Sequence, residues 1–278
     1  MARFVPDVKT RRWVVISPQR IGRPGAEEIG QKAKGKLCPF CPGNEKETPP
    51  EVFRLGSGDP NKSGWQVRVV PNKFPITDIH EVIIHSPSHD KDIEELSYQE
   101  VVNIFKAYRQ RFLAHDKDGQ VLIFCNHGKQ AGASLAHPHS QLVVIPQQIN
   151  LDALSLELAC NILKQTEHFL AYCPDFSQWP YEVWLAPIKN NNNNNKGRIK
   201  FGDISDREIE DLVQLLQRIL KRLKEIFPEF CYNYYIFPGE DWYLRVIPRL
   251  VDRAGFELGT GLLVNIKDPT EAAKELQG

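Results

Sequence analysis

The chain has 278 residues, 41% of them hydrophobic and 25% charged, and its 35 basic and 35 acidic side chains cancel. That size suits a globular protein with one large core or two smaller ones. A net charge of zero excludes a global field favouring nucleic acid, a membrane surface or an acidic partner, so any anion recognition must be local. No apolar run reaches membrane-spanning length and no apolar segment follows Met1-Ala2-Arg3, so the expected compartment is the cytoplasm.

Arg12 to Ser17 predicts a strand, and the turn after it, Ser17 to Pro24, carries Arg20 and Arg23. Two guanidiniums there could clamp phosphate oxygens, although the turn taken alone reads better as a solvated loop. Residues 25 to 37 predict a polar surface loop. Cys38-Pro39-Phe40-Cys41-Pro42-Gly43-Asn44 is a CxxC in a Pro/Gly turn, the shape of half a zinc knuckle. A thioredoxin-like redox role does not suit it, because Pro42-Gly43 prevents a helix from starting after Cys41. With six cysteines and one CxxC, a zinc ion needs two further ligands from elsewhere, and histidines are the expected donors.

Val52 to Leu55, Gln66 to Val70 and Glu81 to His85 predict strands. Asn72 sits in the turn after the second, and His89 follows the third, where a metal ligand could project. Ser97 to Glu100 forms a capping box opening a helix with Val101, Ile104, Phe105, Tyr108 and Phe112 on one stripe. Gln120 to Cys125 predicts a buried strand, and Asn126 in the turn beyond it could face a ligand.

The most informative stretch is Gly132-Ala133-Ser134-Leu135-Ala136-His137-Pro138-His139-Ser140-Gln141, followed by the apolar Leu142 to Ile145. In an extended chain His137, His139 and Gln141 share one face. The small-residue loop before them leaves backbone N–H groups unobstructed, and Ser134 adds a hydroxyl donor. Two imidazoles and an amide beside such a loop read as a phosphate-handling site.

Beyond Pro146 the pattern predicts a helix over about Asp152 to Tyr172, then a short strand near Glu182 to Leu185. The run Asn190 to Asn195 has nothing to bury. Ser205 to Glu208 is a second capping box, and Ile209, Leu212, Val213, Leu216, Ile219, Leu220 and Leu223 form the stripe of a helix ended by Pro228. Strands follow at Cys231 to Phe237 and Trp242 to Ile247, and a last helix opens with Asp268 as N-cap and Pro269 at its first position. The order of elements repeats. It predicts an α+β fold of two related halves, 1–150 and 151–278, with antiparallel sheets packed against helices.

The Arg turn, the CxxC, the Asn-Lys-Phe turn, Ser134 with His137-Pro138-His139 and Gln141, and Gly255-Phe256-Glu257 occur in one order. In these features the chain resembles the galactose-1-phosphate uridylyltransferase family, the transferase branch of the histidine-triad superfamily. The resemblance covers nearly the whole chain and implies histidine-triad-like halves. It implies that His139 is the nucleophile that becomes nucleotidylated, and that His137 completes a structural Zn2+ site with Cys38, Cys41 and His89. It implies that Arg20, Arg23, Asn72, Asn126, Ser134 and Gln141 hold the nucleotide and its phosphates, and that Glu257 lies near the sugar. Partners would be a nucleotide sugar and a sugar 1-phosphate, and a homodimer is left open.

Two departures bear on this. Iron-binding members carry His-x-His where this chain has Tyr243-Leu244-Arg245, so no second metal is expected. Lys73 stands where uridylyltransferases place an acidic residue near the nucleoside, which opens the choice of base. The leading expectation is transfer of UMP from UDP-glucose to galactose 1-phosphate through a nucleotidyl-histidine. The alternative is an ADP-glucose or dinucleoside polyphosphate phosphorylase-type adenylyltransferase, and a zinc-stabilised nucleotide-binding module without turnover comes last. Gln141 argues against a hydrolase, because an amide cannot shuttle a proton.

Overall fold

The computed structural model describes residues 2–7, 13–22, 37–151, 159–188, 200–239 and 241–278. The expected loop at 25 to 37, apart from Leu37, and the asparagine run Asn190 to Asn195 lie outside these residues. The chain divides into two compact units, Met1–Asp92 with Gln99–Ile123 and Ser134–Asp152, and Ile93–Tyr98 with Phe124–Ala133 and Ala153–Gly278.

In the first unit, β1 (Arg3–Pro6) and β2 (Trp13–Ile16) form a separate antiparallel pair. The main sheet runs β3 (Phe53–Gly56), β4 (Trp65–Pro71), β5 (His80–Ile84), β7 (His139–Ile145), with β6 (Gln120–His127) next to β7. All five residues of β5 are buried, so both of its faces are covered. One face packs on the Cys38–Phe40 turn, where Phe40, Trp65, Val70, Val82 and Ile84 form a core cluster. The other meets α1 (Tyr98–His115), whose stripe Val101, Ile104, Phe105, Tyr108 and Phe112 is buried as its spacing predicts. Arg111 of α1 grips Glu81 of β5 through two hydrogen bonds, at 2.9 and 2.6 Å.

The second unit's sheet runs β8 (Ile162–Gln165), β9 (Phe169–Tyr172), β10 (Val183–Pro187), β12 (Leu244–Pro248), β11 (Tyr232–Ile236). Its long helix α2 (Asp206–Ile226) opens on the expected capping box, with Ser205 Oγ accepting from the Glu208 N–H and Glu208 Oε2 from the Ser205 N–H. Each unit therefore uses the same plan: three strands, a helix, then two strands, with the last strand lying beside the third. The α+β reading with related halves and antiparallel sheets is borne out. Two short helices close the chain, α3 (Gly255–Thr260) and α4 (Pro269–Gln277), the latter capped by Asp268 with proline in its first turn as expected. Among the described residues no helix is long and apolar enough to cross a membrane.

One expectation fails. The helix over Asp152 to Tyr172 is instead the β8–β9 hairpin from Ile162 onward, with 152–158 outside the described residues. Its turn explains the difference. Thr166 and Phe169 bond reciprocally, the Phe169 N–H to Thr166 Oγ1 and the Thr166 N–H to the Phe169 carbonyl, and β9 then pairs with β10. Tertiary pairing overrides the local helical spacing.

The second sheet encloses a charge pair. Glu182 and Arg245 are 1% and 5% exposed. The Arg245 Nε and Nη2 donate to the two Glu182 oxygens at 2.7 and 2.8 Å. Glu182 also accepts from Trp184 Nε1 and the backbone of Gln178 and Trp179, while Arg245 Nη1 donates to the Tyr235 hydroxyl. Burial disfavours the cation, yet the bonds to Glu182 hold the Arg245 pKa above its usual value. Breaking such a pair strands a buried charge, so Glu182→Ala is expected to lower unfolding free energy by about 3–5 kcal/mol, read from the urea midpoint at pH 7. A loss below about 1 kcal/mol would mean that the pair is not buried as described.

Candidate active site and metal centre

The register of β5 against β7 assembles the site. His139 lies opposite Ile84, Gln141 opposite Val82 and Val143 opposite His80. Side chains alternate, so His80, Val82 and Ile84 share a face with His139 and Gln141. The intervening Ser140 points to the helix side, where its hydroxyl, the Tyr108 hydroxyl and His85 Nε2 lie in mutual hydrogen-bond reach.

Around the turn Cys38 to Asn44, the Cys41 N–H donates to the Cys38 carbonyl and the Asn44 N–H to the Cys41 carbonyl. Asn44 Nδ2 also holds the Cys38 carbonyl, and Glu45 accepts from the Gly43 N–H and Trp65 Nε1, tying the turn to β4. Gly43 stands at φ +90°, a conformation suited to glycine. This turn faces two histidines. One ligand atom from each of Cys38, Cys41, His89 and His137 falls within 4.8 Å of the others, so these four residues could hold a metal ion. Cys38 Sγ and Cys41 Sγ lie 3.7 and 3.6 Å from His137 Nδ1, and Cys41 Sγ lies 3.2 Å from His89 Nδ1.

The His137 ring is fully buried, and its Nε2 lies 2.8 Å from the Ser86 carbonyl. A carbonyl accepts only, so Nε2 carries the hydrogen and Nδ1 presents its lone pair to the cysteines. Burial lowers the His137 pKa, which favours the neutral ring that a metal requires. Burial, with the adjacent Cys38, pushes the Cys41 thiol up to about 11. Without a cation the Cys41 thiol resists ionising, which is the state that a metal reverses.

His139 precedes the apolar part of β7 and is 8% exposed. Its Nδ1 lies 2.9 Å from the His137 carbonyl, so Nδ1 donates and the lone pair is on Nε2. Phe40 meets the ring edge-on at 5.2 Å, and the same Phe40 packs against His137. Gln141 Oε1 lies 3.0 Å from His80 Nε2, and Asn72 Nδ2 lies 3.1 Å from that nitrogen. Arg20 donates to the Phe74 carbonyl at 3.1 Å, which brings its guanidinium to the Asn72–Phe74 turn.

The first unit thus brings together Cys38, Cys41, His89, His137, His139, Gln141, Asn72 and Arg20, with Ser134 half-buried in the segment leading to β7. Asn126 belongs to the second unit, where Asn233 Nδ2 donates to its Oδ1 at 2.8 Å. Glu257, in the same unit, caps α3 by accepting the Ala254 N–H. Arg23 lies outside the described residues. Lys73 is exposed and donates to the Glu47 carbonyl.

One expectation about the loop is corrected. The Gly132 N–H donates to the Lys129 carbonyl and the Ala133 N–H to the Gly128 carbonyl, so the turn itself uses two of the loop amides expected to be open to an anion. Four residues had no signal in a sequence pattern: His80, Glu45, Ser86 and Asn233. Each acts through a partner distant in sequence or through its backbone.

Known proteins resemble this chain over most of its length. Residues 77–146, which include β5, His89 and the whole His137–Gln141 segment, match the family described as galactose-1-phosphate uridyl transferase, N-terminal domain. ADP-glucose phosphorylase of Arabidopsis thaliana is 27% identical, with 98% of this chain and 91% of that one covered. Galactose-1-phosphate uridylyltransferase of Thermotoga maritima is 25% identical, with 96% and 95% covered. A crystal structure of the Arabidopsis ADP-glucose phosphorylase with bound ADP-glucose superposes with a TM-score of 0.72 at 26% identity, covering 100% of this chain and 99% of that one. The resemblance to the galactose-1-phosphate uridylyltransferase family is borne out.

A metal assay should separate the two histidines. Protein purified without chelator is expected to carry one metal ion per chain, and His139→Ala to keep it. His137→Ala is expected to leave well under one equivalent and to lower the melting temperature by about 5 °C or more. Equal metal loss in both variants would contradict the assignment of ligands.

Proposed function

We propose that the chain is a nucleotidyltransferase that moves UMP from UDP-glucose to galactose 1-phosphate through a covalent nucleotidyl-His139. The observation that carries this reading is the His139 tautomer. With Nδ1–H bonded to the His137 carbonyl, Nε2 holds a lone pair and has no proton to lose. That nitrogen attacks the α-phosphorus, an N–P bond forms, and the bridging P–O bond breaks to release glucose 1-phosphate. The ring becomes cationic, and the His137 carbonyl stabilises the hydrogen that stays on Nδ1. Galactose 1-phosphate then attacks the same phosphorus and restores the free imidazole.

Negative charge grows on the non-bridging oxygens in both steps, and oriented donors there lower the barrier. Gln141, Ser134 and Arg20 are the donors that this reading uses in the first unit, with Asn72 for the nucleotide. Arg23, Asn126 and Glu257 keep the ligand-binding roles implied by the resemblance. A sugar phosphate leaves as an anion without being protonated, so an amide at Gln141 suffices where a hydrolase would use an acid.

Zinc is the metal that suits the four ligands. Two sulfurs at about 2.3 Å and two nitrogens at about 2.0–2.1 Å from a tetrahedral ion stand about 3.6 Å apart as S···N pairs. The observed separations of 3.2 to 3.7 Å are of that size. A closed set of four leaves no position for substrate, so the ion would supply a cross-link between the Cys38–Cys41 turn and the entry to β7.

A second reading is favoured by Lys73 and by the coverage of the Arabidopsis relative. An ammonium beside the nucleoside cannot accept ribose hydroxyl protons as a carboxylate does, which leaves the choice of base open, and by likeness to that relative ADP-glucose would be the donor, with inorganic phosphate as acceptor. Isotope exchange separates the two. Labelled glucose 1-phosphate is expected to enter UDP-glucose with no second sugar present, and His139→Ala to slow this by about 10³-fold or more. Exchange into ADP-glucose alone would move the assignment to the adenylyl donor. Exchange into neither would remove the covalent mechanism.

A further inference from the structure

We propose that His80 is a positioning residue that fixes which end of the Gln141 amide faces the reacting phosphate. The inference rests on the nucleotidyl-transfer reading and adds to it a residue with no role in binding metal or attacking phosphorus.

His80 opens β5 and is 4% exposed. Its Nδ1 accepts the backbone N–H of Ile76 at 2.9 Å. A backbone N–H cannot turn round, so Nδ1 carries no hydrogen and the neutral ring has its hydrogen on Nε2. That nitrogen lies 3.0 Å from Gln141 Oε1 and donates to it. The Gln141 oxygen is thereby held toward His80, and the NH2 group is the end turned away.

The opposite orientation fails on hydrogen count. If Gln141 turned its NH2 toward His80, Nε2 would need a lone pair and the hydrogen would move to Nδ1. It would then face the Ile76 N–H, donor against donor, in a buried site. A glutamine amide is ordinarily ambiguous between its two orientations, and here a fixed backbone donor removes the ambiguity. Asn72 is oriented in the same manner. Its Oδ1 accepts the Phe74 N–H at 2.8 Å, which turns its Nδ2 to 3.1 Å from the same His80 Nε2. Of the two groups at that nitrogen, Gln141 Oε1 is the acceptor and takes the hydrogen. The Asn72 NH2 then meets a donor and must pivot off the ring, which a side chain can do and the Ile76 backbone N–H cannot. Two backbone donors in one turn, Phe74 and Ile76, therefore orient Asn72, His80 and Gln141.

The consequence is chemical. Gln141 lies on the face of β7 that carries His139. With NH2 presented, it is a donor to phosphoryl oxygens as their charge grows. With the oxygen presented, it would repel them. Preorganised donors act because no reorientation is needed during reaction.

A double-mutant cycle on the exchange reaction tests this. His80→Phe keeps the ring and removes both nitrogens. It is expected to lower kcat by about tenfold or more with KM little changed, while His80→Gln, which can donate from the same place, recovers most of the loss. In a Gln141→Ala background, His80→Phe should cost nothing further. An equal loss in both backgrounds would make His80 merely structural and would overturn the proposal. Nitrogen-resolved NMR of the wild-type histidines decides the geometry without turnover. The Nε2–H tautomer is expected at His80, and an Nδ1–H tautomer would overturn the proposal whether or not the protein exchanges either donor. Wild-type protein inactive with both donors would instead count against nucleotidyl transfer itself.

Discussion

The antiparallel register of β5 and β7 is the constraint on which the site depends. With His139 opposite Ile84 and Gln141 opposite Val82, both of these side chains face the Cys38–Phe40 turn, and Ser140 faces α1. A slip of one residue would exchange the faces, sending His139 toward the helix and Ser140 toward the ligand. The register is held from both sides. Val82 and Ile84 pack on Phe40, and on the other face Glu81 meets Arg111 while Ser140 meets Tyr108 and His85. Polar partners on the helix face give a slipped strand unmatched buried groups as well as misplaced apolar ones.

In the proposed reading, this arrangement would join metal binding to catalysis without making the metal a reactant. The Ser86 carbonyl, just beyond β5, sets the tautomer of His137, and the carbonyl of His137 sets the tautomer of His139. One histidine thus presents Nδ1 to two sulfurs, and the next but one is left with its lone pair on Nε2. Phe40, between the two cysteines in sequence, touches both rings. A cross-link at Cys38, Cys41, His89 and His137 would therefore steady the backbone from which the proposed nucleophile, His139, projects.

What could be read from the sequence was local. The stripes of α1 and α2, the Ser205 and Asp268 caps and the CxxC turn are short-range patterns, and they appear where the spacing puts them. The ligand group Cys38, Cys41, His89 and His137 came from the family resemblance, since nothing local links residues so far apart in the chain. The β8–β9 hairpin was missed because Thr166 and Phe169 make a turn that helical spacing hides, and its strands are fixed by pairing with β10. His80 and Asn233 were missed for a different reason. Each orients an amide distant in sequence, Gln141 and Asn126, and such pairing leaves no periodic trace. The loop amides of Gly132 and Ala133 show the converse error, since a small-residue loop can use its own N–H groups to hold its turn.

The central claim is that His139 Nε2 becomes covalently nucleotidylated, and mass analysis of trapped protein tests it most directly. Protein mixed with UDP-glucose or ADP-glucose, stripped of released sugar phosphate and kept alkaline, should gain the mass of one nucleotidyl group. Peptide mapping should place that group on His139, with loss in mild acid as a phosphoramidate requires. An adduct on His137 or another residue, or turnover with unmodified protein throughout, would contradict the account.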